Sequence, residues 1–206
     1  MSPEVSSAQQ ARGEPASSAR RAPSREGSGT LRGFPNEKTG AVGMAVFLGA
    51  CAMLFAALLF AYAVVRAQAG AWPPPGTPPF PRGAAASNGL LLIAAGFALR
   101  RARTRGPRWA AASLGLGTLF LLMQAGLWGR LVAGHLGPGT GALGDVFFAL
   151  SAFHALHVLG GLVAIALLLR PRASGDARPR RLRLATLYMD FVAAVWLIIY
   201  VAVCVA

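Results

Sequence analysis

Long apolar runs separated by clusters of arginine dominate the pattern of this chain. Four of them, Ala41 to Val65, Trp109 to Gly129, Val146 to Leu169 and Leu184 to Ala206, hold 25, 21, 24 and 23 residues without a Lys, Arg or Glu. Each exceeds the roughly 20 residues that carry a helix across a ~30 Å hydrocarbon core. A fifth run, Gly83 to Leu99, has 17 residues and contains Asn88. The pattern predicts an all-α, polytopic membrane protein, a bundle of five transmembrane helices at about 41–65, 83–99, 109–129, 146–169 and 184–206. The short second run counts as a span because the charges between the runs require an odd number.

Those charges lie unevenly. Residues 1–40 hold six basic residues, Arg100 to Arg108 five and Arg170 to Arg183 six, whereas Arg66 to Arg82 hold two, the loop after the third helix only Arg130, and the C-terminal end none. Seventeen against three predicts, by the positive-inside rule, an N-terminus in the cytoplasm and Ala206 outside. The formal charge of +13 is then a topology signal whose expected partner is anionic lipid headgroups, not nucleic acid. Composition agrees: 55% hydrophobic and 13% charged residues exclude an ordinary soluble domain, which carries about 25% charged residues.

Outside the runs, residues 1–38 are rich in Ser, Ala, Arg and Glu and read as a disordered cytoplasmic tail before a membrane domain at 39–206. The loop WPPPGTPPFPR, Trp72 to Arg82, has six prolines in eleven residues and reads as an extended polyproline strap. Gly139, Gly141 and Gly144 spell GxGxxG, but no strand precedes them, so they read as a flexible turn and not as a dinucleotide fingerprint. Cys51 and Cys204 fall about 15 and 31 Å from the cytoplasmic ends of their helices. That difference in depth exceeds the ~7 Å Cα separation a disulfide tolerates, so both read as small buried apolar residues.

Polar side chains inside the spans are the candidates for function. His154 and His157 stand three apart on helix four and share a face. Counted along the helices they lie about 24 and 20 Å from the cytoplasmic edge, and Gln124 about 22 Å. All three can meet at mid-membrane. A haem or metal site needs more ligands from facing helices, and His135 lies in a loop, so contact between helices or with lipid is the preferred reading. Asp190 lies about 10 Å deep. A carboxylate there is costly unless paired, hydrated or protonated, so it either snorkels toward Arg180, Arg181 and Arg183, the preferred reading, or faces a proton entry on a partner. The sequence offers no catalytic, cofactor-binding or metal-binding residue.

The stretch GDVFFALSAFHALHVLGGLVAI, residues 144–165, resembles the signature of subunit III of the haem-copper terminal oxidases, a Phe-Phe pair followed by His-x-x-His and glycine. GMAVFLGACAMLFAALLFAY at 43–62, the WPPP strap at 72–75, LGLGTLFLLMQAGLW at 114–128 and LYMDFVAAVW at 187–196 are similar to other family segments in the same order. The resemblance covers residues 40–206 and matches the short five-helix bacterial form, cytochrome c oxidase subunit III. It implies a subunit of the bacterial inner membrane without a redox centre of its own. Such a subunit packs against catalytic subunit I, which carries haem and copper, beside subunit II. It binds phospholipid and supports proton uptake during electron transfer to oxygen.

The match is that of a divergent member. Where the family commonly has glutamates, this chain has Cys51 and Leu127, and its last helix reads Tyr188, Met189, Asp190, Phe191, Val192, Ala193 in place of Tyr-Trp-His-Phe-Val-Asp. The family's roles for those acids do not carry over. Subunit III of a quinol oxidase, or a paralogue accompanying a nitric oxide reductase, is the alternative within the family. A small transporter or scaffold is the alternative from another class, but a transporter would show an internal repeat or a polar path, and neither is present.

Overall fold

The computed structural model describes residues 37–71, 82–170 and 178–205. The tail at 1–36, the proline-rich strap through Pro81 and the side chain of Cys204 lie outside the described residues. Five helices carry the chain: α1 Glu37–Gln68, α2 Arg82–Arg105, α3 Pro107–Ala133, α4 Ala142–Leu169 and α5 Arg178–Tyr200, the last running into a π-helical turn at Val201–Val205. All five are long and apolar enough to cross a membrane. Bilayer interiors offer backbone groups no water, so apolar segments close their hydrogen bonds within a helix. Helices α2 and α5 extend well beyond their apolar runs through arginine-bearing turns, because arginine is a good helix former whose stem lies along apolar surface while its head reaches water.

Helices α2 to α5 pack around one core. Leu92 and Leu99 of α2, Phe120 of α3, Val158 and Ile165 of α4 and Met189 and Trp196 of α5 are buried together. Helix α1 packs chiefly on α4 and α5 and leaves Val46, Met53 and Phe60 exposed. Its hold comes from Phe55, which is buried against Leu150, Val195 and Ile199.

What selects the inward faces is size more than hydrophobicity, since lipid tails are as apolar as leucine and helix association in a bilayer rests on close packing and hydrogen bonds. The buried stripe of α2 is Ala85, Asn88, Gly89, Leu92, Ala95, Gly96, Ala98, Leu99 and Ala102, mostly small residues at helical spacing. At Gly89 the indole of Trp196 lies directly on the helix.

Two turns set the register of the bundle. The α2–α3 turn is the single residue Gly106, whose φ of 94° favours glycine, with Pro107 opening α3. Asn88 and Gln124 lie eighteen residues before and after it. They therefore reach the same depth, and Asn88 Nδ2 donates to Gln124 Oε1 at 2.9 Å. Gly139 and Gly141 of the GxGxxG spelling lie in the α3–α4 turn, and Gly144 lies in the first turn of α4. Gly139 and Gly141 have φ of 83° and 144°, and the Gly139 N–H donates to Asp145 Oδ1. Thr140 Oγ1 accepts from the Gly137 N–H at 3.1 Å and donates to the Gly137 carbonyl at 2.6 Å. The turn expected to be flexible is thus tied by its own side chains, which compensate for the freedom of its glycines.

The α2–α5 contact can be tested at Gly89. A methyl group there would stand 2.9 Å from Trp196 Cδ1 and Nε1. The indole cannot yield freely, because its ring centroid is 5.2 Å from those of both Phe120 and His154. Gly89→Ala should lower stability by about 1–3 kcal/mol, seen as a lower thermal midpoint in detergent. Gly115→Ala, with nothing within 4 Å of the new methyl, should leave the midpoint unchanged. Equal midpoints for the two variants would show slack at the α2–α5 seam.

Candidate functional site

The polar side chains singled out in the spans form two groups, one near mid-span and one at the arginine-bearing end. At mid-span, His154 is fully buried on the inward face of α4. Its ring lies 5.8 Å from Phe120, 5.2 Å from Trp196 and 6.1 Å from Phe55 by centroid. Neither ring nitrogen has a hydrogen-bond partner among the described residues. Aromatic rings from three other helices therefore surround the imidazole, and it touches α1, α3 and α5 at once.

His157, one turn on, is half-buried and turns its ring toward α1. Its Nδ1 lies 2.8 Å from the Phe153 carbonyl, a geometry in which Nδ1–H donates, leaving Nε2 as an acceptor. The ring packs 4.6 Å from Phe153 and 5.1 Å from Phe55. Tyr188 of α5 donates its hydroxyl to the His157 carbonyl at 2.9 Å. That carbonyl therefore accepts a bond from a neighbouring helix, and α5 is pinned to α4 beside α1.

Gln124 does not join the histidines. It pairs with Asn88, because α3 packs most extensively on its hairpin partner α2 and the Gly106 turn brings the two amides level. Depth counting carries no information about direction around the helix. The signal that identifies Asn88 as the partner is its equal count from the turn. A further cross-helix bond, Trp128 Nε1 to Ser151 Oγ at 3.1 Å, joins α3 to α4.

Asp190 sits on α5 facing α2. Arg100 Nε donates to both carboxylate oxygens, at 3.0 and 3.1 Å, and Arg100 Nη2 lies 2.9 Å from Oδ1. The expected reach toward Arg180, Arg181 and Arg183 is not what the structure shows. Those arginines precede Asp190 by two to three turns on its own helix, whereas Arg100 approaches across the helix interface. The partner escaped prediction because the expected second helix ended at Leu99, while α2 stays helical to Arg105 and aims Arg100. Gly96, one turn before Arg100, leaves room for the carboxylate, whose Oδ1 would lie 3.4 Å from a Cβ at that position.

Cys51 is buried on α1 as a free thiol. His135 is exposed in the α3–α4 turn with a φ of 64°. Among the described residues no three His, Cys, Asp or Glu side chains converge. The mid-span group can thus lock helices together. The Asp190–Arg100 fork can hold a charge near the membrane surface.

A groove of about 560 Å³ runs between α1, α4 and α5, lined by Met44, Phe47, Ala164, Leu167 and Tyr188, with Arg181 at one end. It is apolar along its length and cationic at that end. Such a shape suits an acyl chain beneath an anionic headgroup.

No protein-family model matches the chain. Several similar proteins nevertheless share one name. The chain is 33% identical over 174 residues to a probable cytochrome c oxidase subunit 3 of Mycobacterium bovis, an alignment covering 79% of this chain and 85% of the relative. It is 31% identical over 173 residues to cytochrome c oxidase subunit 3 of Synechocystis sp., covering 78% and 73% of the two chains. With the protein of the same name from Thermostichus vulcanus it shares 29% identity over 171 residues, 77% of this chain and 83% of that one. Identity at this level over most of both the mycobacterial relative and this chain, on five helices able to span a membrane, places the chain in the cytochrome c oxidase subunit 3 family.

Proposed function

We propose that this protein is the accessory subunit III of a haem-copper terminal oxidase in a bacterial cytoplasmic membrane. In this reading it packs against a catalytic subunit I that holds haem and copper, beside subunit II, with its N-terminus in the cytoplasm and its C-terminus outside. The observation that carries the proposal is the 33% identity to cytochrome c oxidase subunit 3 over 79% of the chain. The arrangement of polar groups agrees with it. His154, His157, Gln124 and Asn88 are engaged in ring packing and helix-to-helix contact, which is what a subunit needs to keep its shape beside a redox partner.

Two finer roles belong to the same proposal. The groove between α1, α4 and α5 holds a phospholipid, with Arg181 at the headgroup. Asp190 acts structurally, as one half of a bridge between α2 and α5, and supports proton uptake by subunit I only through the shape it maintains. At 28% exposure for Asp190 and 60% for Arg100 the bridge is accessible to water, so its contribution is about 1 kcal/mol or less.

Copurification tests the assignment. Affinity capture of this subunit from solubilised membranes should bring down stoichiometric chains bearing the haem and copper ligands of an oxidase, and their spectra should identify the electron donor. Capture without any haem-bearing chain would refute it. A reporter fused after Ala206 should be active outside the cytoplasm; activity confined to the cytoplasm would invert the proposed topology. Asp190→Asn should leave oxygen reduction and its pH dependence unchanged while lowering the thermal midpoint slightly, in line with a loss of about 1 kcal/mol. Selective slowing at high pH, where proton supply limits turnover, would instead place Asp190 on the proton-uptake surface.

A further inference from the structure

The mid-span layer of the bundle carries hydrogen-bonding capacity that its own side chains do not use. Asn88 and Gln124 share one hydrogen bond, in which Asn88 Oδ1 and Gln124 Nε2 take no part. Trp196 Nε1 and both ring nitrogens of His154 also have no hydrogen-bond partner among the described residues. None of these four residues is more than 3% exposed. Exchanging nitrogen and oxygen in both amides would keep their bond and only swap which two atoms are left over.

These groups come from four helices and belong to one layer. The Trp196 indole lies against Gly89, its Nε1 2.9 Å from where a Cβ would stand, and Asn88 is the residue before Gly89 on α2. The His154 ring is 5.2 Å from that of Trp196 by centroid, and the Phe120 ring is 5.2 Å from Trp196 and 5.8 Å from His154. Gln124 stands one turn along α3 from Phe120. Buried polar groups are as a rule hydrogen-bonded, so this concentration of unused valences requires a partner. The bilayer cannot supply one, but a protein interior holds water where several unpaired polar groups converge.

The chemistry of the set selects that partner. Gln124 Nε2 and Trp196 Nε1 only donate, Asn88 Oδ1 only accepts, and a neutral imidazole has one nitrogen of each kind. An anion here would face the amide oxygen, a cation would face two N–H donors, and either would be stripped of its hydration. A neutral molecule that accepts two hydrogen bonds and donates two meets both kinds of group, and water is the smallest. We infer that ordered water is bound in this layer, accepting from Trp196 and Gln124 and donating to Asn88 and His154. It thereby links α2, α3, α4 and α5, which no direct side-chain bond at this depth does beyond the Asn88–Gln124 pair.

The test uses the detergent-purified complex containing the full chain. A cryo-electron microscopy map in which ordered waters are resolved should show a peak within about 3.2 Å of Trp196 Nε1 and of at least two of the other polar atoms. Hydroxyl-radical footprinting, in which bound water supplies radicals to the side chains beside it, reads the same site independently. Phe120 should be oxidised at least about threefold faster than Phe147, which is also buried but sits in an apolar cluster with Leu127 and Leu131. The double variant Asn88→Leu, Gln124→Leu should bring Phe120 down to the rate of Phe147. If that variant fails to assemble, Trp196→Phe, which keeps an aromatic ring but has no N–H, should lower the rate at Phe120 about twofold or more. A map with all four side chains ordered and no peak among them, or Phe120 oxidised no faster than Phe147, would overturn the inference. Because every readout lies inside this subunit, the outcome is separate from whether the copurifying partner is an oxidase.

Discussion

The pairing of Asn88 with Gln124 shows the constraint under which this bundle is built. Polar groups inside a bilayer find no water, so a hydrogen bond between two spans requires both groups at the same depth. The one-residue turn at Gly106 enforces that match by leaving the same number of residues on either side. Were Gln124 two residues farther along α3, the amides would stand about 3 Å out of step at 1.5 Å per residue, and the hydrogen bond between them would be lost. Because the register of α2 against α3 follows from this clasp, so do the positions of Gly89, Gly96 and Arg100 along α2. Those three residues meet α5 beside the apolar contacts of Leu92 and Leu99.

The contacts along α2 and α5 differ in chemistry by depth. Deep in the bundle Gly89 admits the Trp196 indole, so shape alone decides the fit. Two turns nearer the arginine-bearing end, Gly96 leaves space beside the Asp190 carboxylate. One turn further, Arg100 closes a fork on that carboxylate. The order follows from dielectric: uncharged packing belongs where desolvation is complete, and an ion pair is tolerable where its heads retain access to water. Helix α4 continues the scheme with His154, whose ring fills the space between Phe120 and Trp196 as an aromatic while adding polar edges to the interior.

Element type was legible in the sequence, and direction around each helix was not. Uninterrupted apolar runs specify spans because a bilayer has a fixed thickness, and five helices stand where five runs were read. The same uniformity removes the polar face that reveals orientation in a soluble helix. Hence Gln124, expected to make interhelical contact near the histidines, makes it with Asn88, and Asp190 was matched to arginines on its own helix and not to Arg100. Small residues hold the missing information. The Ala and Gly stripe of α2 marks its buried face, and Asn88 lies within it.

The positions where this chain departs from the family pattern follow the same physics. Cys51 and Leu127, at sites where the family resemblance implies carboxylates, are each only 4% exposed. Leu127 packs in an apolar cluster with Leu131 and Phe147. A carboxylate at either site would need a partner or a proton, and neither residue now present makes that demand. Asp190 is acidic instead, at a point where Arg100 can reach it from the next helix. This chain thus has no acid at those two enclosed positions and has one where a guanidinium and water are within reach. Proton-handling roles attached to the family's acids cannot pass to Asp190 by analogy, because Asp190 stands on a different helix from Cys51 and Leu127 and both its carboxylate oxygens are engaged by Arg100.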